Sequence, residues 1–125
     1  MFIVSLQTVS KGIISSFQTK QVNNTRRMKK CYNSGKISGL PYLTAYNNFL
    51  SADKEIELRG YQSVNPMREK WLRPSAPWWM HIIVDVWKML WCDAVFFQRN
   101  WSDSRGAQIE FQVALALDKE MIYQK

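Results

Sequence analysis

Ala94-Val95-Phe96-Phe97 is an uninterrupted apolar run that precedes the polar loop 98–105. A short continuous run of this kind is typical of a strand that is buried on both faces. Three further strand-like segments occur at Cys31–Ser34, Tyr61–Val64 and Glu120–Tyr123. We therefore predict a sheet of about four strands, with residues 94–97 as its third strand.

Helices are predicted in the intervals between these strands. The first runs from about Thr44 to Arg59, and Gly60 is well placed to end it. Its apolar face consists of Ala45, Phe49, Ala52 and Ile56. The second runs from Trp79 to Trp91, and the residues expected to face inward are Ile82, Ile83, Val86, Met89 and Leu90. The third helix begins at Gly106.

The alternation of strands and helices predicts an α/β fold with an open parallel sheet and helices on both faces, as in Rossmann or flavodoxin-like domains. Strand order 2-1-3-4 would place the ends of strands 1 and 3 side by side. Such a topological switch point is where sheets of this class bind ligands. We therefore expect any site at the ends of these two strands.

The composition of the 125 residues is that of one globular domain, with 46% hydrophobic and 22% charged residues. Two cysteines and a single histidine are too few for a disulfide framework or a zinc site, and we expect neither a metal nor another cofactor. The apolar stretch 78–97 is interrupted by Asp85, Lys88 and Asp93, so no membrane span is expected. A reduced, cytoplasmic domain fits these features.

The net charge of +7 is concentrated at the start of the chain. Seven basic residues and no acidic residue precede Asp53, and the remaining ten basic residues balance the ten acidic ones. The excess charge is therefore a property of the first third, and we do not expect nucleic-acid binding by the domain.

Residues 1–27 are rich in Ser, Thr, Gln and Asn and precede a predicted domain of residues 28–125. We interpret them as a disordered or upstream-start basic extension. The absence of acidic residues is also typical of an organellar transit peptide, and Met28 is a third possibility as the natural start. A signal peptide fits less well because polar residues break the apolar segment.

Three polar clusters fall at the predicted switch point, and the third of them is Asp85. In the first, Ser34 and Gly35 end strand 1, where small residues allow backbone N–H groups to approach an anion. An ordinary strand-to-helix turn fits the same residues. In the second, Ser104 can cap the third helix, Gly106 allows a ligand to approach the helix N-terminus, and Glu110 follows one turn later. The alternative is a capped helix with a solvated glutamate, which fits the spacing alone better.

Asp85 lies within the most apolar helix of the chain. It lies either in a cleft with a raised pKa or at the wet edge of the helix, in a surface pair with His81 or Lys88. All six tryptophans lie between residues 71 and 101. Most are expected in the core or at a subunit interface, which favours a homodimer or larger homo-oligomer. Trp79 or Trp101 could instead stack on a nucleobase.

Taken together, these motifs resemble the nucleoside 2-deoxyribosyltransferase superfamily, which includes the 2'-deoxynucleoside 5'-phosphate N-hydrolases. The likeness is strongest to small, uncharacterised bacterial and phage domains of that group. It covers about residues 28–123. The matching segments are Tyr32-Asn33-Ser34-Gly35, Ser38-Gly39-Leu40-Pro41, Gly60-Tyr61-Gln62-Ser63-Val64-Asn65-Pro66, Asp85, Cys92-Asp93-Ala94 and Trp101 to Glu110. Asn33 departs from the usual apolar strand residue, which predicts a weaker first strand.

The resemblance implies a role for each matching residue. Glu110 would be the nucleophile that attacks C1' of a deoxyribosyl group, Asp85 would hold the sugar and assist proton transfer, and Tyr32 would position the nucleophile. Residues that would bind the sugar, the 5'-phosphate or the base are Ser34, Gly35, Ser104, Gly106 and Trp101.

Three functions follow as hypotheses. The first is cleavage or transfer at the N-glycosidic bond of a nucleoside or nucleoside 5'-monophosphate, with a small-molecule substrate as the partner. The second is a non-catalytic binding module for a nucleotide or ribosyl ligand. The third is an interaction protein whose basic N-terminus contacts an acidic partner. The joint presence of Tyr32, Asp85, Ser104 and Glu110 favours the first two.

Overall fold

A computed structural model describes residues 27–68 and 72–125 of the chain. Within these ranges, four parallel strands form one sheet in the order β2-β1-β3-β4. They are β1 (Lys30–Ser34), β2 (Gln62–Val64), β3 (Ala94–Phe97) and β4 (Glu120–Tyr123). The helices are α1 (Tyr42–Leu58), α2 (Trp78–Leu90) and α3 (Arg105–Ala116), and a short 3-10 helix at Trp101–Asp103 precedes α3. The predicted α/β class and strand order are confirmed.

Side chains alternate along each strand, so both faces of the sheet present apolar residues, and helices cover both faces. On one face, Cys31, Ala94 and Phe96 pack against Ala52 and Ile56 of α1. The opposite face forms a second cluster with α2 and α3, which consists of Tyr32, Val95, Phe97, Met89, Cys92 and Ala114.

The ends of β1 and β3 lie side by side, with Ser34 paired to Phe97. After β1 the chain passes to α1 on one face, and after β3 it passes to α3 on the other. The two connections therefore diverge and leave a crevice at the carboxyl ends of the central strands, as the predicted switch point requires.

The first helix follows the sequence prediction closely. Its four predicted apolar residues are fully buried, and they are Ala45, Phe49, Ala52 and Ile56. Gly60 adopts a φ of +90° just beyond the helix end, a conformation that glycine reaches without steric cost. Its N–H donates to the carbonyl of Glu57, which satisfies one of the last free groups of the helix.

The second helix differs from the prediction. Met89 is buried as expected, but Ile83 is exposed, so its predicted inward orientation is wrong. A core position is also wrong for the helix tryptophans, since Trp78, Trp79, Trp87 and Trp91 are exposed. The cause is that one side of α2 faces a cavity rather than the core, and that side carries the polar residues of the helix.

The extension 1–27 lies outside the described residues except for Arg27, and so does Trp71. In the described part of the chain, no helix has both the length and the apolar character needed to cross a bilayer.

Candidate functional site

A cavity of about 870 Å³ opens at the carboxyl ends of the strands, between β1, α2 and the start of α3. Ligand pockets typically enclose about 300–1,000 Å³, so this space suits a molecule of nucleotide size. Asp85 and Glu110 both line it, although they are far apart in the chain. The cavity lies at the switch point that the topology creates.

Glu110 is buried in this cavity, with only 4% of its surface exposed. The hydroxyl of Tyr32 donates to Oε2 over 2.8 Å, and the hydroxyl of Ser34 donates to Oε1 over 2.7 Å. Tyr32 and Ser34 share a face of β1 because they are two residues apart on a strand. Ala107, Glu110 and Ala114 form the buried face of α3, at helical spacing. The alternative of a capped helix with a solvated glutamate, which fits the spacing alone better, is therefore wrong.

The carboxyl groups of Glu110 and Asp85 both have raised pKa values. Burial raises the pKa of Glu110 to about 8, and the charge of Asp85 adds to this, while hydrogen bonds from Ser34 and Tyr32 oppose it. Burial also raises the pKa of Asp85 to about 6, against the charges of Lys88 and His81. The pKa of Tyr32 is raised well above its ordinary value, by burial first and then by the charge of Glu110.

The two carboxyl groups titrate as a pair, because the charge of Asp85 raises the pKa of Glu110. Between about pH 6 and pH 8 the pair holds one proton, which lies mainly on Glu110 because its pKa is the higher. One carboxylate and one carboxylic acid then face the same cavity, which is the arrangement that combined nucleophilic and acid catalysis needs.

The structure brings most of the predicted site residues to this cavity. Those that line it are Tyr32, Gly35, Asp85, Ser104, Gly106 and Glu110. Ser34 is buried behind them and acts through its hydrogen bond to Glu110. Trp101 is not among the lining residues. Its ring stacks on Phe111, with centroids 4.7 Å apart, and packs against the core instead.

Three small residues have packing or capping roles here. A Cβ on Gly35 would lie 2.6 and 2.7 Å from Nε2 and Oε1 of Gln98, so the side chain of Gln98 requires glycine at this position. A Cβ on Gly106 would lie 2.8 Å from Cδ1 of Ile82, so this glycine allows α3 to pack closely on α2. Ser104 caps α3 as predicted, since its side chain accepts from the N–H of Ala107.

Of the two alternatives for Asp85, the structure favours the cleft over a surface pair, since Lys88 is only 6% exposed and lines the cavity with Asp85. His81 lines it as well. Arg105 lies over the ring of Trp78, 4.6 Å from the centroid, where both residues line the cavity. No cluster of three or more His, Cys, Asp or Glu side chains that could hold a metal ion occurs within residues 27–68 and 72–125.

Sequence reasoning missed a buried polar network below the cavity, centred on Asp53 of α1. Oδ1 of Asp53 accepts from Asn33 over 2.9 Å and from the hydroxyl of Ser63, and Oδ2 accepts from Asn65 over 2.8 Å. Gln98 in turn donates to Oδ1 of Asn33 over 2.8 Å. The side-chain amide of Asn33 also donates to the carbonyl of Phe49 in α1, so it is fully paired, which removes the reason for expecting a weaker first strand.

The network also holds the segment that follows β2. Oδ1 of Asn65 accepts from the backbone N–H of Met67 over 2.8 Å, and Pro66 and Met67 line the cavity. Nε of Arg68 lies 3.6 Å from Oδ2 of Asp53. Asp53 therefore links the end of β2 to the centre of the sheet.

We expect Asp53→Asn to lower the free energy of unfolding by about 3 kcal/mol, because an amide donor then faces the amide donor of Asn65. Adding Asn65→Asp should restore most of this loss, since the carboxylate is merely moved across the same hydrogen bond. Urea unfolding of both single variants and the double variant measures the coupling. Equal unfolding free energies for Asp53→Asn and the double variant would contradict this network.

Comparisons with known proteins were consistent with the fold. The family model described as "Domain of unknown function (DUF4406)" matches residues 29–123. No curated protein matches the chain. Among solved structures, a 2-desoxiribosyltransferase from Leishmania mexicana is similar, with 19% identity and a TM-score of 0.52 over 76% of this chain. The chain spans 63% of that protein's length. At this identity, the likeness supports the fold that the sequence resemblance implies, and the fold alone.

Proposed function

The chain belongs to the DUF4406 family, and we propose that it cleaves the N-glycosidic bond of a deoxynucleoside or its 5'-monophosphate. One observation carries the proposal. A buried glutamate, held at both oxygens by Tyr32 and Ser34, shares a ligand-sized cavity with Asp85. The likeness to a deoxyribosyltransferase structure supports it at the level of the fold.

The reactive form of the pair carries its proton on Asp85, and it is the minor form because Glu110 has the higher pKa. In the proposed reaction, an oxygen of the Glu110 carboxylate attacks C1' of the sugar. The bond between C1' and the base nitrogen breaks, and its electron pair leaves with the base. The carboxylic acid of Asp85 gives its proton to the departing base. The negative charge of the Glu110 carboxylate stabilises the positive charge that develops at C1'. The product is a deoxyribosyl ester of Glu110.

Water completes the cycle by attacking C1' of the ester. Asp85, now a carboxylate, accepts the proton from that water, and the carboxylate of Glu110 is released. If the nitrogen of a second base attacks instead, the result is transfer of the sugar rather than hydrolysis. The hydroxyls of Tyr32 and Ser34 stabilise the carboxylate of Glu110 before attack and on departure.

The cavity also offers cationic groups to the substrate. Lys36 and Arg105 line it beside the capped N-terminus of α3, where backbone N–H groups favour an anion. This arrangement supports a 5'-monophosphate substrate over the free nucleoside.

A panel of deoxynucleosides and their 5'-monophosphates tests the proposal directly. The purified protein should release free base from at least one member, and chromatography detects it. Shifts in melting temperature without base release would support a non-catalytic binding module instead and would overturn the catalytic proposal.

The paired titration predicts a bell-shaped pH profile for kcat/KM. Below about pH 6 both carboxyl groups are protonated, and Glu110 cannot attack. Above about pH 8 both are ionised, and no acid remains for the leaving base. The value of kcat/KM should therefore be highest between these two pH limits. Initial rates measured across this pH range test the prediction. A rate that rises steadily to pH 9 or above would contradict the assignment of Asp85 as the acid.

Tyr32→Phe removes a hydrogen bond that stabilises the ionised form of Glu110. The pKa of Glu110 should rise further, so the fraction of molecules that carry the single proton on Asp85 should fall. We expect kcat to fall about 10-fold and the alkaline limb of the profile to move to higher pH. A lower kcat with an unmoved alkaline limb would show that Tyr32 acts in some other way.

A further inference from the structure

The outer surface of α2 carries a row of large apolar side chains that the proposed reaction does not use. Its members are Trp79, Ile83, Trp87 and Trp91, which are spaced four residues apart, and Trp91 directly follows the last residue of α2. Their exposed fractions are 58, 58, 47 and 59%, respectively. We call these four residues the α2 stripe. The rings of Trp87 and Trp91 already meet edge to face, with centroids 5.9 Å apart, so half of the stripe is ordered by its own contacts.

The polarity of α2 is inverted relative to an ordinary surface helix. Its charged and titratable residues are His81, Asp85 and Lys88, and all three line the cavity. At 100° per residue, the stripe lies on nearly the opposite side of the helix from them. The helix therefore presents to the outside a face with no charged group along its whole length.

We propose that the α2 stripe is the contact surface between two copies of this chain, related by a two-fold axis. The stripe lacks charge, so a matching surface must be apolar, and its even spacing makes it complementary to itself. With α2 helices antiparallel, Trp79 would lie opposite Trp91 and Ile83 opposite Trp87. A self-complementary patch of this kind is what a two-fold interface requires.

The exposed area agrees with a dimer of this kind. A fully exposed tryptophan presents about 250 Å² and isoleucine somewhat less, so the four exposed fractions leave about 500 Å² of apolar surface on each copy. Two copies would bury about 1,000 Å² through the stripe alone, which reaches the lower limit for a specific interface. A patch of that area on a monomer would otherwise lie uncovered in water.

The dimer would hold α2 from its outer side while the inner side carries Asp85. This consequence rests on the proposed function, whereas the oligomeric state does not. The test therefore measures mass rather than activity, so its failure leaves the glycosidic proposal untouched.

Sedimentation velocity of the full chain at about 1 and about 100 µM provides the test. The higher concentration should give twice the chain mass of 14.7 kDa, and Ile83→Lys should give the mass of one chain. Leu115→Lys is the matched control, because Leu115 is 57% exposed on α3 and lies outside the stripe. It should leave the dimer intact.

Two results would overturn the proposal. One is the mass of a single chain at about 100 µM. This mass would overturn the proposal both if a fluorescence quencher reaches the tryptophans and if another part of the same chain covers them. The other is a dimer that Ile83→Lys leaves intact. Far-ultraviolet circular dichroism of each variant confirms that the lysine has not unfolded the monomer.

Discussion

Glu110→Gln is expected to lower the rate of base release at least about 1,000-fold. The amide cannot form the glycosyl ester, because its nitrogen and oxygen lack the charge of the carboxylate. Binding should survive, since the cavity keeps its shape and its cationic residues. Single-turnover measurements with enzyme in excess report the chemical step, and melting shifts with the same nucleotide report binding.

The variant should also remain folded. The hydroxyls of Tyr32 and Ser34 can rotate, so one can donate to the new amide oxygen while the other accepts from its nitrogen. Glu57→Gln is the matched control, because Glu57 is an exposed glutamate on α1 that does not line the cavity. A Glu110→Gln variant within about 10-fold of the native rate would show that this glutamate is not the nucleophile.

Asp85→Asn should lower kcat/KM about 100-fold or more for an ordinary nucleotide, because no group then gives a proton to the leaving base. The shape of the pH profile should change as well. Without the charge of Asp85, the pKa of Glu110 falls, and the alkaline decline disappears because no acid is lost. The profile should become a single rise to a plateau.

The substrate can separate acid catalysis from other roles of Asp85. A nucleoside whose base is already cationic, such as an N7-methylated purine, leaves without a proton. If Asp85 is the acid, Asp85→Asn should lose little rate with this substrate. An equal loss with both substrates would assign Asp85 to holding the sugar instead. Asp103→Asn, at the cavity edge, serves as the control for a simple change of charge.

The fold could be predicted from sequence because its signals are local. The run Ala94–Phe97 is buried on both faces, and the apolar spacing of α1 matches the face that packs on the sheet. Alternating strands and helices then leave few arrangements with right-handed crossovers. Element boundaries differ from the prediction by no more than two residues where both ends were predicted.

The environment of α2 could not be predicted in the same way. Apolar periodicity assumes that the apolar side of a helix faces the core, whereas α2 uses its polar side to line a cavity. The rule therefore places Ile83 inside, whereas it is exposed, and it gives no sign that Lys88 is buried. A signal was present, since three of the tryptophans recur every four residues with Ile83 between them.

The Asp53 network depends on contacts across the sheet that no local pattern contains. Asn33 is a departure from the apolar strand residue that the resemblance implies, and no sequence pattern assigns a role to Asp53. Each has its partner at least ten residues away in the chain.

The proposed reaction passes through a covalent bond between the sugar and Glu110. Rapid acid quenching of the protein with its substrate, followed by intact-mass and peptide mass spectrometry, tests this directly. We predict a mass increase of one deoxyribosyl group, with its 5'-phosphate where the substrate carries one, on the peptide that contains Glu110. Base release with no adduct, or with the sugar on a different residue, would contradict the mechanism.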